Sequence, residues 1–178
     1  MKRGFFISLL LAVISLASSC FAFYLLFKSE QPIVTSLPIF EEAPVSSSPV
    51  NITKLLKLIN KERKQKRLPQ FTENKSLTYI AYIRCNDMFD NQEYTHEATR
   101  SSLSYARIMN KIGSPYSQTA ENLIIGYDNE EKIVEAWKNS KRHNDILFSK
   151  NIWDIGIYSM RGVFLGKEKV ITTMLIGK

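Results

Sequence analysis

The sequence predicts an α+β domain carried behind an N-terminal membrane anchor. Three observations predict it. An uncharged apolar run occupies residues 5–27, apolar residues recur at helical spacing over residues 52–140, and two strand-like stretches separated by glycines close the chain. A length of 178 residues suits one domain with extras, and excludes large multidomain enzymes, TIM barrels and long repeat arrays. The hydrophobic content of 44% averages unlike parts, with 19 apolar residues among the 23 of residues 5–27 and 51 among the 128 of residues 51–178. Residues 1–50 carry three basic and three acidic side chains, and residues 51–178 carry 21 and 14, so the whole +7 charge belongs to the domain.

Lys2 and Arg3 precede the apolar run. At helical rise its residues span roughly 35 Å, enough to cross a bilayer. Basic flanking residues favour an N-terminus left in the cytoplasm, which places the remainder outside. Leu16-Ala17-Ser18-Ser19-Cys20 also resembles a bacterial lipobox, which would make Cys20 the lipidated first residue of a mature lipoprotein. The alternatives are an uncleaved signal-anchor and a spanning helix in which Cys20 is one more apolar residue. Each keeps the domain outside the cytoplasmic membrane. Residues 28–50 read as a tether, because Pro32, Pro38, Pro44 and Pro49 recur around Ser46-Ser47-Ser48 and prevent helix.

Within residues 51–178, Asn51 is placed to cap a first helix with Ile52, Leu55, Leu56 and Ile59 on its apolar face. Pro69 stops it. Asn74 caps a second helix with Leu77, Ile80, Ala81, Arg84 and Met88 on one stripe. Cys85 lies in this helix, has no thiol partner in the domain once Cys20 is in the membrane, and reads as a buried, inert thiol. A third helix is expected over residues 102–112, ended by Gly113, and Leu123-Ile124-Ile125 forms a short apolar run. Residues 129–140 read as a fourth helix, with Glu130 and Glu131 in the first turn, where the helix dipole favours acids. Strands follow over residues 154–160 and 169–176, with Gly162 and Gly166 as turn residues. Helices first and a strand pair last imply helices packed on an antiparallel sheet.

The basic clusters at residues 61–67 and 138–142 fall at helix ends, where cations face water and favour the negative pole. An extracytoplasmic compartment argues against a nucleic-acid partner. The clusters suit anionic lipid or wall polymers better, an attraction that fades with salt.

Chemistry concentrates on three residues. The chain has two histidines, His96 and His143, and between them Glu121 is embedded in an apolar run, where a carboxylate is costly unless something pairs with it. The segments around these residues resemble the bacterial branch of the CAP superfamily, also called the SCP or pathogenesis-related-1 family. The matching pieces are Leu58-Ile59-Asn60 with Arg63, the helix carrying Ala81 and Met88, Tyr94-Thr95-His96, Arg107-Ile108 with Gly113, Ala120-Glu121-Asn122-Leu123, Val134 to Leu147 with Trp137, and Asp154-Ile155-Gly156-Ile157. Seven pieces in order cover about residues 53–177.

The resemblance implies a three-layer α-β-α sandwich with a shallow cleft. It also implies a divalent-metal site, usually zinc, whose matching positions are His96, Glu121 and His143. Ser140 takes the place of the family's second acid, and Ser140 and Asn122 would line the cleft. The departures are Ala120 for a glycine, Lys141-Arg142-His143-Asn144 for the usual Pro-Gly-His-Arg, and Ile171-Thr172-Thr173-Met174 in the last strand. Three readings of the triad stay open: a polar network that locks helices to sheet, a metal site without turnover, and a metal-dependent hydrolase. Hydrolysis also needs a base, for which Glu135 points away from the Trp137 face and Glu97 adjoins His96. The leading expectation is a non-catalytic binding module for a lipid or sterol, an envelope component or a host molecule.

Overall fold

The structure is a computed structural model that describes Ala43 and residues 48–178, all within one compact unit, Phe40–Lys178. The expected anchor with Cys20 and most of the expected tether lie outside the described residues. Among the described residues, no helix is long and apolar enough to cross a membrane. Val50, one residue before the expected boundary, is 1% exposed in the core.

The described residues form five helices and four strands: α1 Ile52–Gln65, β1 Thr72–Glu73, α2 Lys75–Asp90, α3 Tyr105–Lys111, β2 Thr119–Ile125, α4 Glu130–Asn139, α5 Lys141–Leu147, β3 Asp154–Phe164 and β4 Lys167–Gly177. Asn51 and Asn74 cap as the sequence expects, and Asn129 caps as well. The Asn51 side chain accepts from the Lys54 N–H, Asn74 from those of Ser76 and Leu77, and Asn129 from that of Lys132. The third helix starts later than its apolar pattern suggests, because Ser104 caps it through the Arg107 N–H. Helix α5 was not expected. Its seven residues are too few to show a helical period, and it begins where Ser140, in extended conformation, ends α4.

The sheet order is β1-β3-β4-β2. Strands β3 and β4 form an antiparallel hairpin and β2 runs antiparallel to β4, but β1 runs parallel to β3. The sheet is therefore mixed, which corrects the antiparallel expectation. The parallel contact is a two-residue stub held by Thr72 N–H to Trp153 O and Asn74 N–H to Ile155 O, both 2.7 Å. Two residues carry no alternation to read. Gly162 is also not in the turn. It pairs with Lys169 inside the hairpin, and the turn falls at Leu165-Gly166.

Both sheet faces are covered, and strand alternation assigns each residue to one. Val170, Met174 and Ile176 of β4 pack with Leu55, Ile59, Ile133, Trp137 and Leu147 from α1, α4 and α5. Ile171 and Leu175 pack with Leu77, Ile80, Cys85, Met88 and Ile108 from α2 and α3. Helices on both faces make three layers. Cys85 is fully buried with Sγ 3.3 Å from Thr173 Oγ1, and burial pushes its thiol pKa up to about 12.

One basic residue departs from its solvated reading. Arg63, inside the residue 61–67 cluster, is 0% exposed. It donates to the carbonyls of Pro69, Leu147 and Ile152 and lies 3.6 Å over the Phe71 ring. It therefore ties α1 to the ends of α5 and the loop before β3.

The tightest contact is between α2 and β3. A Cβ on Gly156 would lie 2.1 Å from the Leu77 carbonyl carbon and the Thr78 nitrogen, both backbone atoms. Gly156→Ala is expected to lower unfolding free energy by about 3 kcal/mol or more in urea melts, because a backbone cannot rotate out of the way.

Candidate functional site

Arg84 and Glu121 form the site's buried base. Arg84 sits on the otherwise apolar stripe of α2 and is 0% exposed. Its Nε donates to Glu121 Oε1 at 2.9 Å, Nη1 to Asp87 Oδ2 at 3.0 Å and to Leu103 O at 3.1 Å, and Nη2 to Thr95 O at 2.6 Å. One guanidinium thus holds strand β2 and two points of the loop between α2 and α3. Glu121 has a 0% exposed side chain, and its second oxygen lies 2.7 Å from His96 Nδ1. A carboxylate only accepts, so Nδ1 carries the donated proton and Nε2 is left for other partners.

His96 and Glu121 open onto a cleft of about 470 Å³. His143 lines the same cleft, together with Glu97, Tyr105, Ser140 and Arg142, over an apolar floor from Ala120 and Ile146. The cleft lies along β2, which has no strand on its outer side. Glu121 therefore projects toward α2 while Ala120 faces α5. Asn122, expected at the cleft wall, is instead fully buried beneath it and donates through Nδ2 to the His143 carbonyl at 3.1 Å. Its Oδ1 has no hydrogen-bond partner among the described residues. Asn122 shares a strand face with Ala120, which lines the cleft, but the His143 backbone lies over it.

The titratable groups divide clearly. Burial holds the His143 imidazole below its ordinary 6.5, and the neighbouring His96 and Arg142 charges add to this. Burial, with Glu121 nearby, pushes the Tyr94 phenol up to about 12 and raises that of Tyr105. The Thr95 hydroxyl donates to Glu97 and keeps that exposed carboxyl below the usual range.

The structure brings His96, Glu121 and His143 to one cleft, but not as a three-ligand shell. Among the described residues, no three His, Cys, Asp or Glu side chains are placed to hold a metal ion together. Both Glu121 oxygens are engaged, one by Arg84 and one by His96. Glu121 stands behind His96 and orients it, a relation carboxylates often have to imidazoles. Residue types suited to zinc are present, but their arrangement does not fit a metal held by all three. Glu135 lines a different groove, between α1 and α4, so it is no base for this cleft. The Ser140 hydroxyl makes no hydrogen bond to either histidine among the described residues. Arg84 and Arg142 are the site residues that sequence reasoning did not assign to the cleft. Of these, Arg84 carried a signal, a charge on an apolar helical stripe, while Tyr105 was one of several tyrosines suited to a binding surface.

Comparison with known proteins decides the family. The profile of the CAP family, described as the cysteine-rich secretory protein family, matches residues 56–168. The chain belongs to the CAP family. A bacterial relative is the uncharacterized protein YkwD of Bacillus subtilis (strain 168), 26% identical over 125 residues, 70% of this chain and 46% of that protein. The chain thus spans under half the length of that curated relative. Among solved structures, an outer surface protein of Borrelia burgdorferi matches with TM-score 0.61 and 24% identity over 71% of this chain and 91% of that one. An extracellular SCP-domain protein of Bacillus anthracis matches with TM-score 0.57 and 21% identity, over 71% and 40%. A Staphylococcus aureus cysteine-rich secretory protein gives 0.56 and 22%, over 75% and 40%. These likenesses establish the CAP fold.

Two outcomes follow for the CAP site. Glu121→Ala leaves the buried Arg84 Nε without its acceptor, with Asp87 as the remaining counter-charge, and is expected to cost about 1–3 kcal/mol in denaturant unfolding. For His143, a folded pKa below 6.5 means that the unfolded chain takes up its proton first on acidification. Its contribution to stability is complete above pH 6.5 and is lost as pH falls through the folded value. NMR titration should place the His143 resonance below 6.5, and His143→Gln should flatten the loss of stability on the acid side of 6.5.

Proposed function

We propose that this chain is an extracytoplasmic binding module whose cleft takes the polar head of a lipid, sterol, envelope or host molecule. The observation that carries this reading is the engagement of Glu121. The shielded carboxylate that could have served as base or ligand is already held by Arg84 and His96. What faces the cleft is a set of polar groups over an apolar floor: the Arg142 cation, the two imidazoles, and the Tyr105 and Ser140 hydroxyls. Such a surface orients an amphiphile, and about 470 Å³ is the size of a small-ligand site. Lys2, Arg3 and the apolar run at residues 5–27 support attachment to a membrane, as a lipoprotein through Cys20 or as an uncleaved anchor. An outer surface protein and an extracellular protein among the structural neighbours support the same side of the membrane.

The rival reading is a divalent-metal hydrolase on His96, Glu121 and His143. One observation favours it: Glu121 backs His96 as carboxylates back metal-bound imidazoles. It lacks a base positioned in the cleft other than the exposed Glu97.

The test uses residues 40–178 and their Arg142→Ala and His96→Ala/His143→Ala variants. Calorimetric titration with phosphoglycerol, phosphocholine and sterol sulfate is expected to show saturable binding to at least one probe, weakened about tenfold by Arg142→Ala. Peptide, ester and glycan panels are expected to remain uncleaved with and without zinc. Stoichiometric zinc in the wild type, lost from the double histidine variant together with turnover, establishes the hydrolase instead.

A further inference from the structure

The β3–β4 turn breaks a local rule at its most exposed point. The turn residues Leu165 and Gly166 have φ of +49° and +75°. Positive φ at both central positions defines the hairpin turn that asparagine, aspartate and glycine favour. Leucine there is strained, and a strained residue is retained where something else requires it. Leu165 is 70% exposed and Val163 is 64% exposed. Of the five large hydrophobic residues exposed among the described residues, three lie at this end of the sheet: Val163, Leu165 and Tyr127.

The backbone of this tip is already satisfied. The Gln92 side chain donates to Val163 O at 3.0 Å and accepts from the Leu165 N–H at 2.6 Å. A bare turn entering an apolar medium would strand those groups, and here one amide occupies both. Lys167 and Lys169 follow directly, and neither has an ion pair among the described residues. Arg161, beside them, is joined to Glu168 and Asp128. The start of α1 also lies at this end. The Asn51 N–H donates to Glu130, two residues beyond the Asp128 that pairs with Arg161.

We propose that the β3–β4 tip docks the domain on an anionic lipid surface, with Val163 and Leu165 entering the acyl boundary and Lys167 and Lys169 meeting the head groups. A lipid surface fits better than a protein partner by charge and shape. Two aliphatic side chains on a narrow turn, with Lys167 and Lys169 behind them and unpaired among the described residues, match a shallow insertion into an anionic interface. Docking by the tip leaves the cleft pointing outward. Glu121 lies opposite Leu175, eight residues along β4 from Lys167, which is roughly 27 Å of strand. This docking surface is separate from the cleft and does not depend on what the cleft binds.

The test is co-sedimentation of residues 40–178 with vesicles of phosphatidylglycerol in phosphatidylcholine, and with phosphatidylcholine alone. Wild type is expected to bind the anionic vesicles in a salt-sensitive way. Leu165→Asn suits the left-handed backbone, so its melting temperature should equal or exceed that of wild type while vesicle binding falls about tenfold. Lys167→Ser/Lys169→Ser should weaken binding and flatten its salt dependence. Binding of soluble head-group probes in the cleft should be unchanged by Leu165→Asn, which separates this proposal from the cleft reading. Absence of vesicle binding by wild type, or equal binding by well-folded Leu165→Asn, overturns it. So does self-association of wild type that Leu165→Asn abolishes in sedimentation velocity, since the tip would then serve a second copy.

Discussion

The site depends on one buried guanidinium. Arg84 holds Glu121 on β2, Asp87 on its own helix, and the carbonyls of Thr95 and Leu103 on the loop between α2 and α3. A loop of that length has little core of its own, so its position comes from these hydrogen bonds. His96 is at 2.7 Å from Glu121 because Arg84 has set both the strand and the loop. The ion pair is completely desolvated, so its value lies in specifying one arrangement more than in raw stability.

The sheet decides what can face the cleft. Strand β2 is an edge, so residues on either of its faces can reach the same opening around its side. Glu121 arrives from the α2 side and His143 from the α5 side, and the two cores remain separate. The opposite end of the sheet carries the long β3–β4 hairpin. Its exposed aliphatic tip and the cleft are therefore far apart, and one surface can dock while the other binds. Arg63 plays for α1 the part that Arg84 plays for the loop, satisfying three carbonyls left by chain ends. Two arginines in a basic, soluble-looking sequence are thus interior framework.

Much of the fold was legible because its signals are local. Asn51, Asn74 and Asn129 cap their helices within three residues of the groups they bind, and helical spacing identified Leu55, Ile59, Leu77, Ile80 and Trp137 as core. The CAP resemblance was legible because seven short motifs keep their order. The two-residue β1 and the seven-residue α5 were not legible, being shorter than a period of the pattern that would announce them. Parallel pairing of β1 was hidden for the same reason, and the extra length of the hairpin was hidden because Gly162 reads as a turn.

By itself, the sequence determined most of the element types and, through its resemblance to the CAP family, the expectation that His96, Glu121 and His143 share one cleft. Only the tertiary structure decided what they do there. Whether Glu121 faces an open site or stands behind His96 depends on where Arg84 points, and Arg84 is 37 residues away. Whether Asn122 lines the cleft or supports it depends on what packs over it, here the backbone of His143. A sequence states which charges exist, while their partners are set by packing that brings distant residues within hydrogen-bond reach.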